Sequence, residues 1–449
     1  MFKKLALFTL SLCALSTQSL MAQNIVQEGH YLFDANKKLI KLIQSQGDLT
    51  IDHVGKHGYE VYGPNGVGLW LNDLASQLDI TIVDLEDQHD HEAMEKAFAN
   101  YPSPSEIEQK LLELQSQYPD IFKLFSIGKS GNGQEIYVVK LSDNVDTDEL
   151  EPEFKYIANM HGDEIVGREM MILLLEDLTA KYAAGNSEVK SLIDNTEIYI
   201  LPSMNPDGAE ARRRGNARWS DLNRNFPDFT TDNRNTPSGR QPETQAVMAF
   251  QAQRKFSLSA NFHGGTECVN YPWDTSADDF PLLELVKDLS NEYAQEVPGM
   301  KNSTEFPGGV TNGYDWYEVD GGMQDWSYHW YGDLQVTIEL SHQKWPNYST
   351  IPQYFQWNRN SMVRYMTRVH QGAGFKFDTA KSGRVVIESA GMFKKQTIGE
   401  FTFGDGEFYK ILEPGRYTFT VTDSNGKQSS FTTKVTTQNG NFKPNYTKL

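Results

Sequence analysis

In the stretch YIANMHGDEIVGREM, residues 156–170, a β-prone apolar run ends on His161, and Glu164 follows three residues later where a helix-like pattern begins. An imidazole and a carboxylate at that spacing can supply two ligands of a metal ion. They also suit a strand-to-helix turn, because acidic side chains are favoured in a first helical turn, and His-x-x-Glu alone does not separate the two readings. A catalytic zinc wants three protein ligands and an open position for water. The third is supplied by SLSANFHGGTE, where an apolar run stops at His263 and Gly264 and Gly265 leave room for a substrate. Of the ten histidines, only His161 and His263 sit at the end of such a run followed by a loop. Singly, His263 reads as a satisfied strand-end residue; in combination, His161, Glu164 and His263 make a site for one zinc ion.

Three further segments carry side chains with chemical potential. GNARWSDLNRNFPD, residues 215–228, places arginines and asparagines in a Pro-bounded loop after three consecutive arginines. The planar donor fork of Arg suits a carboxylate, although an exposed basic loop reads the same way. VTIEL holds Glu339 inside an apolar strand, either paired structurally or poised with a raised pKa for proton transfer. NGYDWYEVDGGMQDWSY, residues 312–328, is a Gly-punctuated aromatic loop suited to a flap over a pocket. Cys268, five residues after His263, has no Cys-activating pattern around it and reads as a buried structural thiol. There is no G-x-S-x-G elbow, Walker loop or CxxC, so serine-hydrolase, NTPase and zinc-ribbon readings lack support.

The elements that must position these residues fall into three blocks within 449 residues. Residues 1–22, with Lys3, Lys4 and a short apolar run, read as a secretory signal; no later segment is long enough to span a bilayer. Residues 24–93 mix strand-like and helical runs as a small α/β module ending in a polar linker. Residues 97–371 alternate short apolar strands with amphipathic helices, an α/β domain with a mixed sheet. Residues 373–449 alternate Thr, Val and Tyr with turns at Pro414-Gly415 and Asn425-Gly426, a small β-sandwich. Without the signal one cysteine remains, so no internal disulfide is available. That suits a secreted or periplasmic bacterial enzyme. A formal charge of −19 excludes a nucleic-acid face, which must be basic, and mildly favours cationic ligands.

His161-x-x-Glu164, LPSMNPDG, DLNRNFPD, NFHGG…NYPWD, TNGYDWYEVDGGMQDW and TIEL occur in the order found in zinc metallocarboxypeptidases. They resemble most the regulatory subfamily (the D, E, M and N types), which adds a transthyretin-like sandwich similar to EFYKILEPGRYTFTV. The amino-terminal block looks like the ferredoxin-like module that precedes some carboxypeptidase domains. The resemblance implies that His161, Glu164 and His263 hold zinc and that Asp221 orients His161. It implies that Asn223 and Arg224 hold the substrate's terminal carboxylate, that Arg214 polarises the scissile carbonyl, and that Tyr317 closes over the terminal residue. Glu339 becomes the general base and acid, taking a proton from the attacking water and returning it to the leaving amine. Asp274 and Gln324 match polar residues of the side-chain pocket, implying release of C-terminal Arg or Lys from peptides or proteins. Two other functions are compatible: trimming of cell-wall peptides that end in a diamino acid, and a catalytically silent peptide- or glycan-binding protein.

Overall fold

A computed structural model describes residues 27–33, 37–46, 49–85, 100–390, 396–438 and 442–449; the expected signal segment and the polar linker at 86–96 lie outside them. In the amino-terminal block, β1 (Gln27–Phe33), β2 (Thr50–Asp52), β3 (Tyr59–Pro64) and β4 (Thr81–Asp84) alternate with helices Lys37–Gln44 and Val67–Leu78. The sheet order is β2-β3-β1-β4 with every neighbour antiparallel, the ferredoxin-like βαββαβ arrangement. Burial alternates along β3, and Tyr59 and Val61 face Leu32, Ile43, Ile51 and Leu71 in a core of the module's own.

The central sheet comprises β5 (Phe122–Lys129), β6 (Glu135–Leu141), β7 (Glu153–Ala158), β8 (Glu197–Leu201), β9 (Phe256–His263), β10 (Glu267–Tyr271), β11 (Val310–Asn312) and β12 (Leu334–Leu340). Its order is β11-β10-β12-β9-β7-β8-β6-β5. The middle four strands, β12, β9, β7 and β8, are mutually parallel, and every residue of each is buried. Strands covered on both faces must be apolar on both. Along β7, Phe154, Tyr156 and Ala158 pack into one core and Ile157 into the other. Helices Val166–Ala183, Leu283–Ala294 and Ile351–Thr367 cover the first face, and Pro242–Ala252 and Met323–Tyr331 the second. Glu153 and Lys155 are the exceptions in β7: Glu153 accepts from the Lys255 N–H at 2.7 Å, and Lys155 is buried against Asp333 at 3.1 Å, which offsets its desolvation.

The carboxy-terminal strands form two sheets. β13 (Gly372–Lys376), β16 (Glu407–Ile411) and β19 (Tyr446–Lys448) make one of three strands; β14 (Gly383–Ser389), β15 (Thr397–Phe403), β17 (Gly415–Asp423) and β18 (Gln428–Val435) make one of four. In β17, Tyr417, Phe419 and Val421 point inward at alternate positions, the period of two that a half-exposed strand requires. Phe375, Ile387 and Phe419 belong to the same continuous apolar cluster as Tyr156 and Phe262 of the central sheet.

Candidate metal centre and substrate cleft

From β7 the chain runs outward to β8 and then returns to β9 on the other side of β7. The crevice beyond the carboxyl ends of strands at such a reversal is where open α/β sheets hold ligands. β9 ends on His263. β7 stops at Ala158 rather than at His161. Asn159 turns left-handed there at φ 56°, which a short polar side chain tolerates. Its Nδ2 donates to the carbonyl of His161 at 2.9 Å, holding the turn that carries His161 and Glu164.

His161 Nδ1 lies 3.0 Å from Glu164 Oε1 and 3.0 Å from His263 Nδ1, and His263 Nδ1 lies 2.8 Å from Glu164 Oε2. All three side chains are buried. Two imidazole nitrogens and a carboxylate oxygen meeting at one point form a donor set suited to zinc. The outer nitrogen of His161, Nε2, faces Asp221 Oδ1 at 2.9 Å, which fixes the tautomer and turns the Nδ1 lone pair toward the common point. His263 Nε2 is buried with no hydrogen-bond partner among the described residues. The residues present fit one ion.

Glu339 stands opposite His263 in the parallel β9–β12 register, so both side chains leave the sheet on the same side. Its carboxylate is buried, with Oε2 unpartnered. Burial first, then the charge of Glu164, pushes its pKa well above the ordinary carboxylate range, the direction that a group exchanging protons near neutrality needs. Cys268, its antiparallel neighbour in β10, is a buried free thiol pushed up by burial and by Glu339.

Arg214 is buried across from these three side chains. Its Nε and Nη2 lie 3.0 and 2.9 Å from Asp221 Oδ2, and Nη1 is 3.2 Å from Glu164 Oε1. Burial opposes the Asp221 charge, but Arg214 and then His161 hold its pKa well below the usual range. Asp221 also caps the single turn Leu222–Arg224, accepting from the Asn223 N–H at 2.8 Å. Asn223 Oδ1 in turn accepts from the Met323 N–H at 3.0 Å. Tyr317 follows the short helix Gly313–Trp316, and its ring borders the same cavity as His161, Arg214, Arg224, Asp274 and Glu339.

At the far end of that cavity, Asp274 Oδ1 accepts from Gln324 Nε2 at 2.7 Å and from Asn270 Nδ2 at 3.1 Å. Gly313 permits the arrangement, since a Cβ there would sit 1.7 Å from Asp274 Oδ1. Burial raises the Asp274 pKa to about 7, against the lowering effect of Asn270, Arg224 and Gln324.

Two groups of residues at the site were not anticipated. Asp325, next to Gln324, accepts from the backbone N–H groups of Asp274 and Thr275 at 2.8 and 3.0 Å. The other is the turn after β2. Arg224 Nη2 donates to the Ile51 carbonyl at 2.9 Å, Tyr317 donates through its hydroxyl to Asp52 Oδ1 at 3.0 Å, and Asp52 Oδ2 pairs with Arg214 Nη1. His53 Nε2 donates to the Gly264 carbonyl at 2.8 Å. The room expected beside Gly265 is taken by His53, whose Nε2 would be 2.1 Å from a Cβ at that glycine. TIDHVGKHG reads as an ordinary polar turn, and no periodicity links residue 52 to residue 214.

Two imidazoles and a carboxylate around one ion position, with a protonatable acid beside them and guanidinium groups opposite, are the arrangement of a metal-dependent hydrolase. The chain belongs to the zinc carboxypeptidase family: the family model matches residues 107–361, more than half of the sequence. The metal of that family is a single zinc ion. Over 352 residues the chain is 39% identical to human carboxypeptidase D, a match covering 73% of this chain and 25% of that protein. It thus spans about a quarter of the length of those relatives. It is 37% identical to mouse carboxypeptidase M over 358 residues, covering 74% of this chain and 79% of that one. Human carboxypeptidase N catalytic chain is 35% identical, with 70% and 78% covered. Among solved structures, carboxypeptidase A from Helicoverpa armigera superposes with a TM-score of 0.62 at 18% identity, covering 77% of this chain and 98% of that one. Among the described residues, no helix is long and apolar enough to cross a membrane.

Proposed function

We propose that the chain is an exported zinc carboxypeptidase that hydrolyses the last peptide bond of peptides or proteins and releases Arg or Lys. The observation that carries this reading is the meeting of His161, Glu164 and His263 within 3.0 Å of one another at the sheet's reversal point, with Glu339 in register beside them. Bound zinc supplies Lewis acidity, activating a water and polarising a carbonyl. Glu339 takes the proton of the attacking water and gives it to the leaving nitrogen; its buried, unpartnered oxygen and raised pKa suit both transfers. Arg214 stabilises the negative charge that develops on the carbonyl oxygen, an effect enlarged by exclusion of water.

Asn223, Arg224 and Tyr317 bind the terminal carboxylate. An internal peptide bond offers no such anion and would leave those donors unpaired, so cutting is confined to chain ends. Asp274, held by Gln324 and Asn270, accepts a cationic side chain, since a buried carboxylate is stabilised by a charged partner. Similarity to carboxypeptidases D, M and N supports the same reading. Lys3, Lys4 and the apolar run after them direct the chain to the periplasm or the exterior.

The test is a panel of N-acylated dipeptides ending in Arg, Lys, Leu or Glu, assayed before and after chelation and after zinc is restored. Release of Arg and Lys that chelation abolishes and zinc restores is expected. Metal-independent turnover, or none on any peptide, overturns the hydrolytic reading; equal rates on all four overturn the specificity.

A further inference from the structure

The LPSMNPDG segment, residues 201–208, runs on past the end of β8, and the proposed function gives none of its side chains a task. It stays paired with the chain leaving β7. The Met204 N–H donates to the Ala158 carbonyl at 3.0 Å, and the Asn205 N–H to the Asn159 carbonyl at 3.1 Å. Just before them, the Ser203 hydroxyl donates to Asn159 Oδ1 at 2.8 Å. Asn159 is completely buried. With its oxygen engaged by Ser203, its Nδ2 faces three carbonyls of the turn that follows: His161 at 2.9 Å, and Gly162 and Glu164 at 3.4 Å each. Two of those carbonyls belong to residues whose side chains form the metal centre.

Backbone conformation alone does not account for an asparagine here. At φ 56° a glycine is at ease, whereas asparagine is only tolerated. What asparagine adds is an amide whose acceptor end and donor end serve different segments. The turn's own closure is a single bond, from the Glu164 N–H to the His161 carbonyl at 3.2 Å. His263 stands on β9, a different strand, so any drift of the turn moves two donors relative to the third. A metal site tolerates only a few tenths of an ångström of such drift.

We propose that Asn159 and Ser203 are positioning residues for the metal centre: the Ser203 hydroxyl orients the Asn159 amide, and the amide fixes the backbone of His161 and Glu164 so that both ligands face His263 before an ion arrives. This deepens the zinc carboxypeptidase reading and rests on it. The experiment measures the zinc affinity of the metal-stripped full chain by competition with a chromogenic chelator, with the melting temperature of the metal-stripped protein recorded alongside. Neither readout depends on turnover. Asn159→Gly keeps a backbone free to make the left-handed turn and removes the amide. Ser203→Ala removes the hydroxyl, and Ser203→Thr keeps it; Ser203 borders a cavity of about 190 Å³, so the added methyl has room.

Asn159→Gly should weaken zinc binding about 10- to 100-fold, the usual loss when a group that orients metal ligands is removed. Ser203→Ala should weaken it about fivefold, the scale of one neutral hydrogen bond, and Ser203→Thr should leave it at the wild-type value. Wild-type zinc affinity in Asn159→Gly shows that the left-handed turn alone is needed; with or without a lowered melting temperature, it overturns the proposal. If Asn159→Gly does not fold, the Ser203 pair decides. Zinc affinity lost with Ala and kept with Thr supports the proposal; wild-type affinity in both, or an equal loss in both, overturns it. Failure of the wild-type chain to bind zinc overturns the carboxypeptidase reading itself, whereas tight wild-type binding that the variants share leaves that reading standing and removes only this inference.

Discussion

The catalytic sheet has a neighbour at each end of the chain, and the two are attached in opposite ways. The carboxy-terminal sandwich shares one apolar cluster with the sheet, so that Phe375 and Ile387 belong to the same core as Tyr156 and Phe262. The amino-terminal module keeps Leu32, Ile43, Tyr59 and Leu71 to itself and meets the cleft through Asp52, His53 and Glu60. Apolar burial resists separation in any aqueous solvent. Ion pairs and hydrogen bonds can be exchanged for equivalent ones with water or with a competing ligand at small net change. The first attachment joins two units through shared apolar burial; the second joins them through polar contacts.

The contrast has meaning only around a working site, and the largest expected effect removes that site. Glu339→Gln should lower kcat by about 10²- to 10⁴-fold, the usual contribution of a general base, while zinc content measured by metal analysis stays at that of the wild type. Residual turnover near wild type would take Glu339 out of the proton path. Next in size is the sandwich. Phe375 is fully buried, with its ring centroid 5.0 Å from that of Phe403 and 5.8 Å from that of Phe408. Phe375→Ala should destabilise by about 3–5 kcal/mol and lower the melting transition of sandwich and catalytic sheet together. A separate early transition for the sandwich, leaving the catalytic transition unmoved, would break the comparison.

How much of this was legible in the sequence follows the same division. Period-two runs and turn dipeptides marked the sandwich, and continuous apolar runs marked β7, β9 and β12, because burial on one or two faces is written into consecutive residues. His161 and His263 stood out because each interrupts such a run, and the DLNRN segment because its donors have no place in a core. The exact end of β7 was not legible: Asn159 reverses the chain by a left-handed turn that the apolar pattern runs straight through. The meeting of Asp52 with Arg214 was not legible either. It depends on how two separately folded sheets dock, and a single polar turn holds no record of its partner. Asp325 was hidden by its position, since an acid in a first helical turn is ordinary until its oxygen is seen to serve another loop.

The module's own core gives a third, smaller handle on the contrast. A unit of this size is marginally stable alone, and Ile43 is completely buried within it. Ile43→Ala should remove about 2–5 kcal/mol and unfold the module in a first calorimetric transition, with the catalytic transition following at its usual temperature. Where a defect in the sandwich core lowers the catalytic transition with it, a defect in the module's core should leave that transition in place. One cooperative transition for the whole chain would show the module to be as integral as the sandwich.

The smallest expected effect tests whether the far end of the cleft is electrostatic in the way its neighbours suggest. Asp274 is faced by Asn270 and Gln324 as hydrogen-bond donors, by Arg224 as a cation, by Asp228 as an anion, and by Asp325, whose carboxyl burial and the Asp274 charge push well above the ordinary range. Burial is the dominant influence and holds its pKa at about 7. A cationic side chain is held by the ionised form, so binding of Arg or Lys termini strengthens as pH rises and levels off above the titration. Between pH 6 and pH 8 the ionised fraction climbs from about one tenth to about nine tenths. Preference for Arg over Leu, measured as the ratio of kcat/KM values, should therefore rise by up to about tenfold over that range. The ratio cancels pH effects on zinc and Glu339, which act on both substrates alike. In Asp274→Asn the ratio should be low and flat; a rise that survives this substitution would move the cation-binding charge to Asp228 or Asp325.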